Sequence, residues 1–232
     1  MHTRSSGQIE CLVRRYFLRV RILNCYAGIG GNRKLWQNVE VTAVELNPEI
    51  AKIYQDFFPN DKVIVTDAHA YLLEHFTEYD FIWSSPPCPT HSRMNHLHNV
   101  RGVKVKYPDM KLYEEILLLK HFANSKWVVE NVKSYYDPLI PPKETARHYF
   151  WSNFKITDTG ENNKIRNDRG MTLKVKMHEK GIWVDDFHGY DGDKRTLINN
   201  CIEPELALHI LNCAQGILPP MQDGLFAQKI SA

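Results

Sequence analysis

Cys88 and Glu130 are the two side chains best placed to do chemistry. Cys88 closes Ser85-Pro86-Pro87-Cys88, and Glu130 sits within Trp127-Val128-Val129-Glu130-Asn131-Val132. Proline fixes φ, so the pair before Cys88 holds the backbone where the chain leaves a strand. A carboxylate among valines is awkward unless something partners it. A thiolate and an acid aimed at the same small ring make a reaction centre. The thiol needs a nearby cation or helix N-terminus to ionise, and Arg93 and Arg147 are the candidates. A lone intracellular cysteine is more often a small buried hydrophobe; the prolines and the acid argue for more here.

Both residues require strand ends to position them. Up to about residue 130, short β-rich apolar runs alternate with helical stretches, the pattern of βα units and a parallel sheet. Strands are expected at Arg19 to Cys25, Val39 to Glu45, Lys62 to Thr66, Tyr79 to Ser84 and Trp127 to Glu130. A short helix is expected over Lys34 to Gln37, and another begins at Asn47-Pro48 with proline in its first turn. Met110 to Ala123 has helical spacing through Leu112, Ile116, Leu119 and Phe122. Beyond a proline-rich stretch, His148 to Phe154 reads as an aromatic strand, and Met171 to Met177 alternates like a strand. Glu203 to Gln215 reads as a closing helix. The expected organisation is an N-terminal extension over residues 1–17, a core over 18–156, a small polar insertion over 157–195 and a C-terminal segment over 196–232.

A second set of residues points to a cofactor. Ala27-Gly28-Ile29-Gly30-Gly31 follows a strand and precedes a helical stretch, where glycine lets the backbone approach a ligand. Such a turn alone is weak evidence. Glu45 then ends the second strand, close to the ~20-residue interval at which an acid accepts ribose hydroxyls. Together they indicate an adenosine-type cofactor. Asp67, ending the third strand, has two readings of equal weight: a partner for the adenine amino group, or a helix N-cap.

Composition bounds the rest. A chain of 232 residues, 43% hydrophobic, suffices for one well-cored domain with a small appendage. Net charge is only +2, so any polyanion partner must be read from local charge rather than bulk. The stretch from His91 to Lys111 supplies it, with Arg93, Arg101, Lys104, Lys106 and Lys111 against Asp109 alone, suiting phosphate contacts beside Cys88. Five cysteines without a CxxC pair argue against a disulfide framework or zinc site, and no metal is expected. No run reaches the ~18 apolar residues of a membrane helix, and the chain reads as cytoplasmic.

These pieces, in this order, resemble the cytosine-C5 DNA methyltransferase family. The matching parts are Asn24 to Gly31, Glu45, Asp67, Pro86-Pro87-Cys88 with Ser92, Leu112-Tyr113-Glu114-Glu115, Glu130-Asn131-Val132, Arg147 and the segment from Asn200 to Ala207. The resemblance implies an α/β, Rossmann-like fold that uses S-adenosylmethionine, in a compact bacterial or phage-type member acting on cytosine in DNA. It implies Cys88 as nucleophile at C6, Glu130 as the partner of N3 and Arg147 as a substrate-orienting cation. It further implies a cofactor site built from Tyr26, Ala27, Gly28, Ile29, Gly30, Gly31, Glu45, Leu46, Asp67, Ala68, Pro86, Leu112 and Asn200. DNA contacts are expected from Ser92, Arg93, Arg101, Lys104, Lys106 and Asn131, with Lys164, Arg166, Arg169, Lys174, Lys176 and Arg195 added by the insertion.

The chain departs from the family pattern in three places. Pro89-Thr90-His91 stands where members have glutamine, glycine and an aromatic, the usual glutamine and paired arginines of the later motif are reduced to Arg147, with Thr145 and His148 near it, and residues 157–195 are far shorter than the usual recognition region. Short target sites, weak specificity or a helper subunit all remain open. So do the same reaction on RNA and a non-catalytic DNA-binding role.

Overall fold

The computed structural model describes residues 19–93, 107–158 and 171–217. Seven strands form one sheet: β1 (Val20–Cys25), β2 (Val39–Glu45), β3 (Lys62–Val65), β4 (Phe81–Ser84), β5 (Lys126–Val132), β6 (Lys143–Thr145) and β7 (His148–Ser152). The order is β3-β2-β1-β4-β5-β7-β6. β1 to β5 run parallel, whereas β7 is antiparallel to both β5 and β6. This α/β, Rossmann-like arrangement reverses its winding between β1 and β4, the topological switch point at which such sheets bind ligands.

The sheet is buried on both faces because successive residues point to opposite sides. Ile22, Phe81, Trp83, Val128 and Phe150 pack beneath the helix α6 (Pro204–Gln215) through Leu206, Ala207, Ile210 and Leu211. Leu23, Ile82, Trp127, Val129 and Trp151 face the other way, onto α2 (Ala68–His75) and α3 (Lys111–Phe122) through Leu72, Ile116 and Leu119. Two hydrophobic layers thus fix the strand ends from both sides. The remaining helices are α1 (Pro48–Phe57), α4 (Leu173–Lys180) and α5 (Lys194–Asn199). α1 begins where expected, with Asn47 Oδ1 accepting the Ile50 N–H at 2.8 Å.

Three local expectations are corrected. Residues 34–37 form no helix, the turns ending at residue 35: Trp36 N–H bonds to Arg33 O, and the Arg33 guanidinium donates to the Trp36 carbonyl at 2.6 Å, so no α ladder propagates. The alternation at Met171 to Met177 belongs to α4, which Thr172 caps at 3.4 Å to Val175 N. It ends at Gly181 (φ 58°), whose N–H reaches His178 O. The period-2 reading failed because Lys176 is buried along its stem, with Nζ on Asn199 Oδ1 at 2.9 Å. The boundary at residue 195 falls inside α5. The described part of the insertion packs Met177, Ile182 and Val184, together with Leu197 and Ile198 of α5, onto Ile29 and Ile53, so it is built onto the glycine turn and α1.

Candidate active site

Chain leaving β4 makes Ser85-Pro86-Pro87-Cys88 at the switch point, beside the end of β5. The Cys88 carbonyl accepts the N–H groups of His91 and Ser92, each at 3.0 Å, forming a tight turn just after the thiol. Asn131 braces this turn from below: its Nδ2 donates to Pro86 O at 2.9 Å. Its Oδ1 accepts the Val132 N–H at 3.0 Å. Because Asn131 is 2% exposed with both amide ends engaged, it serves as a loop brace, and the structure offers no surface on it for the expected DNA contact.

Pro89-Thr90-His91 acts as a tether. His91 is buried, with Nδ1 against Tyr136 Oη at 2.6 Å, and its carbonyl accepts the Tyr135 N–H. Ser92 bridges to Ser134. Thr90 Oγ1 accepts the Asp109 N–H at 3.1 Å, which ties Asp109 to the turn after Cys88. Arg93 is exposed. Arg101, Lys104 and Lys106 lie outside the described residues, as do Lys164, Arg166, Arg169 and residues 1–17. Lys174 and Arg195 are exposed, whereas Lys176 is buried on Asn199 and is no DNA contact.

Glu130 is buried in β5, and its partner is His148 of β7. The antiparallel register pairs Val132 with His148 and Glu130 with Phe150, which makes Glu130 and His148 diagonal neighbours on one face. His148 Nδ1 lies 2.6 Å from Glu130 Oε1. Its Nε2 lies 3.9 Å from Glu203 Oε2, and Lys180 Nζ reaches Glu203 Oε1 at 3.3 Å. Burial opposes ionisation of Glu203, but Lys180 and His148 outweigh it and hold the acid below its usual range. Arg147 instead occupies the exposed β6–β7 turn after Ala146 (φ 52°), and among the described residues no side chain pairs with it. Sequence reasoning passed over His148 as a neighbour of Arg147; the signal lies in the antiparallel register, which a single strand does not reveal.

Cys88 stands half-buried, and burial, followed by the Glu130 charge, pushes its thiol up. Neither Arg93 nor Arg147 is among the groups that act on it. The resting side chain is therefore a thiol. A folded-state value raised above that of a free thiol means less thiolate at neutral pH. Accordingly, iodoacetamide should label Cys88 at pH 7.5 more slowly than free cysteine. Glu130→Gln should speed that labelling by about 3- to 10-fold by removing the charge. Peptide mass spectrometry after timed quenching reads this out, and a rate unchanged by Glu130→Gln would show that the carboxylate does not govern the thiol.

The glycine turn closes the other side of the crevice. Asn24 and Asn32, both buried, exchange amide hydrogen bonds of 3.3 and 2.7 Å across it. Glu45 accepts the Gly28 N–H (2.9 Å) on one oxygen and the Asn47 N–H (3.0 Å) on the other. Each oxygen keeps a lone pair for a ribose hydroxyl. Gly28 (φ 55°) has nothing within 4 Å of the place its Cβ would take, whereas Cβ atoms on Gly30 and Gly31 would strike Phe58 at 2.3 Å and Cys201 at 2.6 Å. Gly28 thus faces open space, and the other two are required by packing. Leu46, beside Glu45, is 66% exposed, an apolar wall suited to a flat ring. Asp67 proves to be the α2 N-cap, with Oδ1 accepting the Ala70 N–H at 2.9 Å. Its side chain is still about half exposed, and its other oxygen, Oδ2, lies 4.0 Å from Lys111 Nζ. Ala27, Ile29, Ala68 and Leu112 belong to the core clusters, while Asn200 is exposed just past α5. The residues present therefore fit an adenosine group through Gly28, Glu45 and Leu46.

Beneath both halves lies a residue the sequence placed only as part of a helix start. Glu115 is fully buried; its Oε1 takes Tyr26 Oη at 2.6 Å and His69 Nδ1 at 3.0 Å, and its Oε2 takes Ser84 Oγ at 2.5 Å. One carboxylate thereby ties together the chain segments leaving β1 and β4 and the start of α2.

Comparison with known proteins accords with this geometry. The family model described as C-5 cytosine-specific DNA methylase matches residues 20–138, a span that includes the glycine turn, Cys88 and Glu130. The chain belongs to the C-5 cytosine-specific DNA methylase family. Its enzyme class is that of the family, DNA (cytosine-5) methyltransferase, with S-adenosylmethionine as methyl donor. The methylase match stops short of Arg147, His148 and the insertion. Among curated proteins none matches. The solved structures it is similar to include a SAM-dependent methyltransferase from Archaeoglobus fulgidus, at 20% identity and TM-score 0.34, covering 55% of this chain and 53% of that one. A SAM-dependent methyltransferase from Agrobacterium tumefaciens follows at 14% identity and TM-score 0.35, covering 56% and 44%. Likenesses so remote bear no weight here. No helix among the methylase's described residues is long and apolar enough to cross a membrane.

Proposed function

We propose that the protein methylates C5 of cytosine in DNA through a bond between Cys88 Sγ and C6 of the base. The observation that carries this reading is the pairing of Cys88 and Glu130 at adjacent strand ends, with Glu130 close enough for its charge to act on the thiol.

Cytosine C5 is a poor nucleophile, and the residues at the crevice supply what it lacks. Cys88 adds as thiolate to C6, opening the C5–C6 double bond. Glu130 takes up the proton that the Cys88 thiol gives up and passes it on to N3, where the displaced electron pair would otherwise leave a negative charge on the ring. C5 then has enamine character and takes up a methyl group. S-adenosylmethionine, held by Gly28, Glu45 and Leu46, would supply that methyl as an electrophile on sulfur. A base then removes the C5 proton, the double bond reforms, and the Cys88 sulfur leaves C6. The base-pair stack hides C5 and C6, so the cytosine must be turned out or already unpaired before Cys88 can reach it. Arg93, exposed beside the turn, and the basic stretch that follows it in sequence suit the flanking phosphates.

Incubation of the protein with cytosine-containing duplex DNA, structured RNA and methyl-labelled cofactor tests this reading. Nucleoside analysis should place the label in 5-methylcytosine from DNA. Label confined to RNA would overturn the DNA assignment, and label in neither would overturn methyl transfer to nucleic acid.

A further inference from the structure

We propose that His148 is the positioning residue for Glu130, fixing one carboxyl oxygen so that the other is turned to cytosine N3. The inference rests on the reading of Glu130 given above.

Three observations carry it. The contact is short, with Nδ1 2.6 Å from Oε1, and the two side chains are almost fully enclosed, at 15% and 11% exposure. Whichever of the two carries the shared hydrogen, Oε1 is occupied and Oε2 is left to serve a ligand. The histidine is itself constrained, by its backbone and by a second acid 3.9 Å from its far nitrogen. Its backbone is held in the β5–β7 ladder opposite Val132, and its Nε2 faces Glu203, which Lys180 engages in turn. The chain thus runs from α4 through the start of α6 to the acid in β5. Arg147, one residue earlier, points from an exposed turn and is not placed to do this. A free glutamate on a strand has several rotamers of similar energy; clamping one oxygen removes that freedom before substrate arrives.

Four variants of the full chain, assayed with duplex DNA and saturating cofactor, test the role. His148→Leu removes the clamp and should lower kcat by about 10²-fold with KM for DNA little changed, since displacement of a catalytic group by about 1 Å costs that much. His148→Asn keeps a short neutral donor and should recover most of the lost kcat. Glu130→Gln/His148→Leu should be no slower than Glu130→Gln alone, because the clamp has no purpose once the acid is gone. A merely structural histidine would instead give losses that multiply in the double variant, with no rescue by asparagine, and that result would overturn the proposal. So would wild-type kcat in His148→Leu when Glu130→Gln is inactive. Wild-type kcat in Glu130→Gln would overturn the Glu130 reading itself, a result distinguishable from failure of His148 alone. Should His148→Leu fail to fold, His148→Asn at kcat equal to Glu130→Gln overturns the clamp, and near-wild-type kcat supports it.

Discussion

Cys88→Ser should leave no measurable methyl transfer, a loss of at least about 10⁴-fold, as expected when a covalent nucleophile is removed. The size follows from the chemistry. A serine hydroxyl is a far weaker acid than a thiol, and the surroundings of Cys88 already disfavour the anion through burial and the Glu130 charge. An alkoxide there is out of reach at neutral pH. The substitution is nearly isosteric at a half-buried turn whose hydrogen bonds come from the main chain, Cys88 O to the N–H groups of His91 and Ser92. The fold and the cofactor side should therefore survive, and calorimetry should show the cofactor binding as in wild type. About 5 kcal/mol of barrier, the equivalent of 10⁴-fold, then belongs to the sulfur alone. Residual activity within 10-fold of wild type would mean that methyl transfer proceeds without a covalent bond to Cys88.

Glu115→Ala should cost about 3–5 kcal/mol of stability, the range for breaking a buried ion pair by removing one partner. Three groups lose their acceptor at once: Tyr26 Oη, His69 Nδ1 and Ser84 Oγ. These groups join the loop after β1, the start of α2 and the end of β4. Thermal unfolding should drop by roughly 6–20 °C. The loss should also depend on pH. The hydrogen bond to Glu115 raises His69 above its ordinary value, with Glu114 adding to it and burial and Lys111 opposing. A raised folded-state value means the stabilisation is present in full below about pH 6.5, the unfolded value. It fades as pH rises through the raised folded value. Wild type should therefore lose part of its margin over Glu115→Ala on going from pH 6 to 9. Melting curves that run parallel across that range would show that the His69–Glu115 pair does not contribute in this way.

Much of the fold was legible because its signals are local. The five parallel strands were found to within about two residues at their ends, since each is a short apolar run, four of them leading to a polar residue near the crevice: Glu45, Asp67, Ser85 and Glu130. The glycine turn and Asn47-Pro48 carry their own backbone chemistry. What failed was decided by tertiary context. Lys176 broke the helical pattern of α4 on paper, although its stem is buried against Asn199. That packing against Phe58 and Cys201 also demands Gly30 and Gly31 was not legible in the glycine turn itself. Asn131 resembles a substrate contact in a motif and turns out to hold the Pro86 carbonyl. His148 and Glu115 act through partners 18 and 89 residues away, such as Glu130 and Tyr26, and no spacing rule announces such pairs. Cys88 and Glu130 stood out in the sequence; the residues packed around them did not.

The covalent bond at Cys88 is the central claim, and trapping it tests the account most directly. Fluorine at C5 leaves no proton for the final elimination, so a thiol that has added to C6 stays attached once the methyl is transferred. Duplex DNA carrying 5-fluorocytosine, incubated with cofactor and then digested and analysed by mass spectrometry, should give one peptide bearing the methylated fluoropyrimidine on Cys88, and none from Cys88→Ser. Methylated natural DNA from the same preparation, with no adduct on Cys88 in the fluorinated substrate, would contradict it.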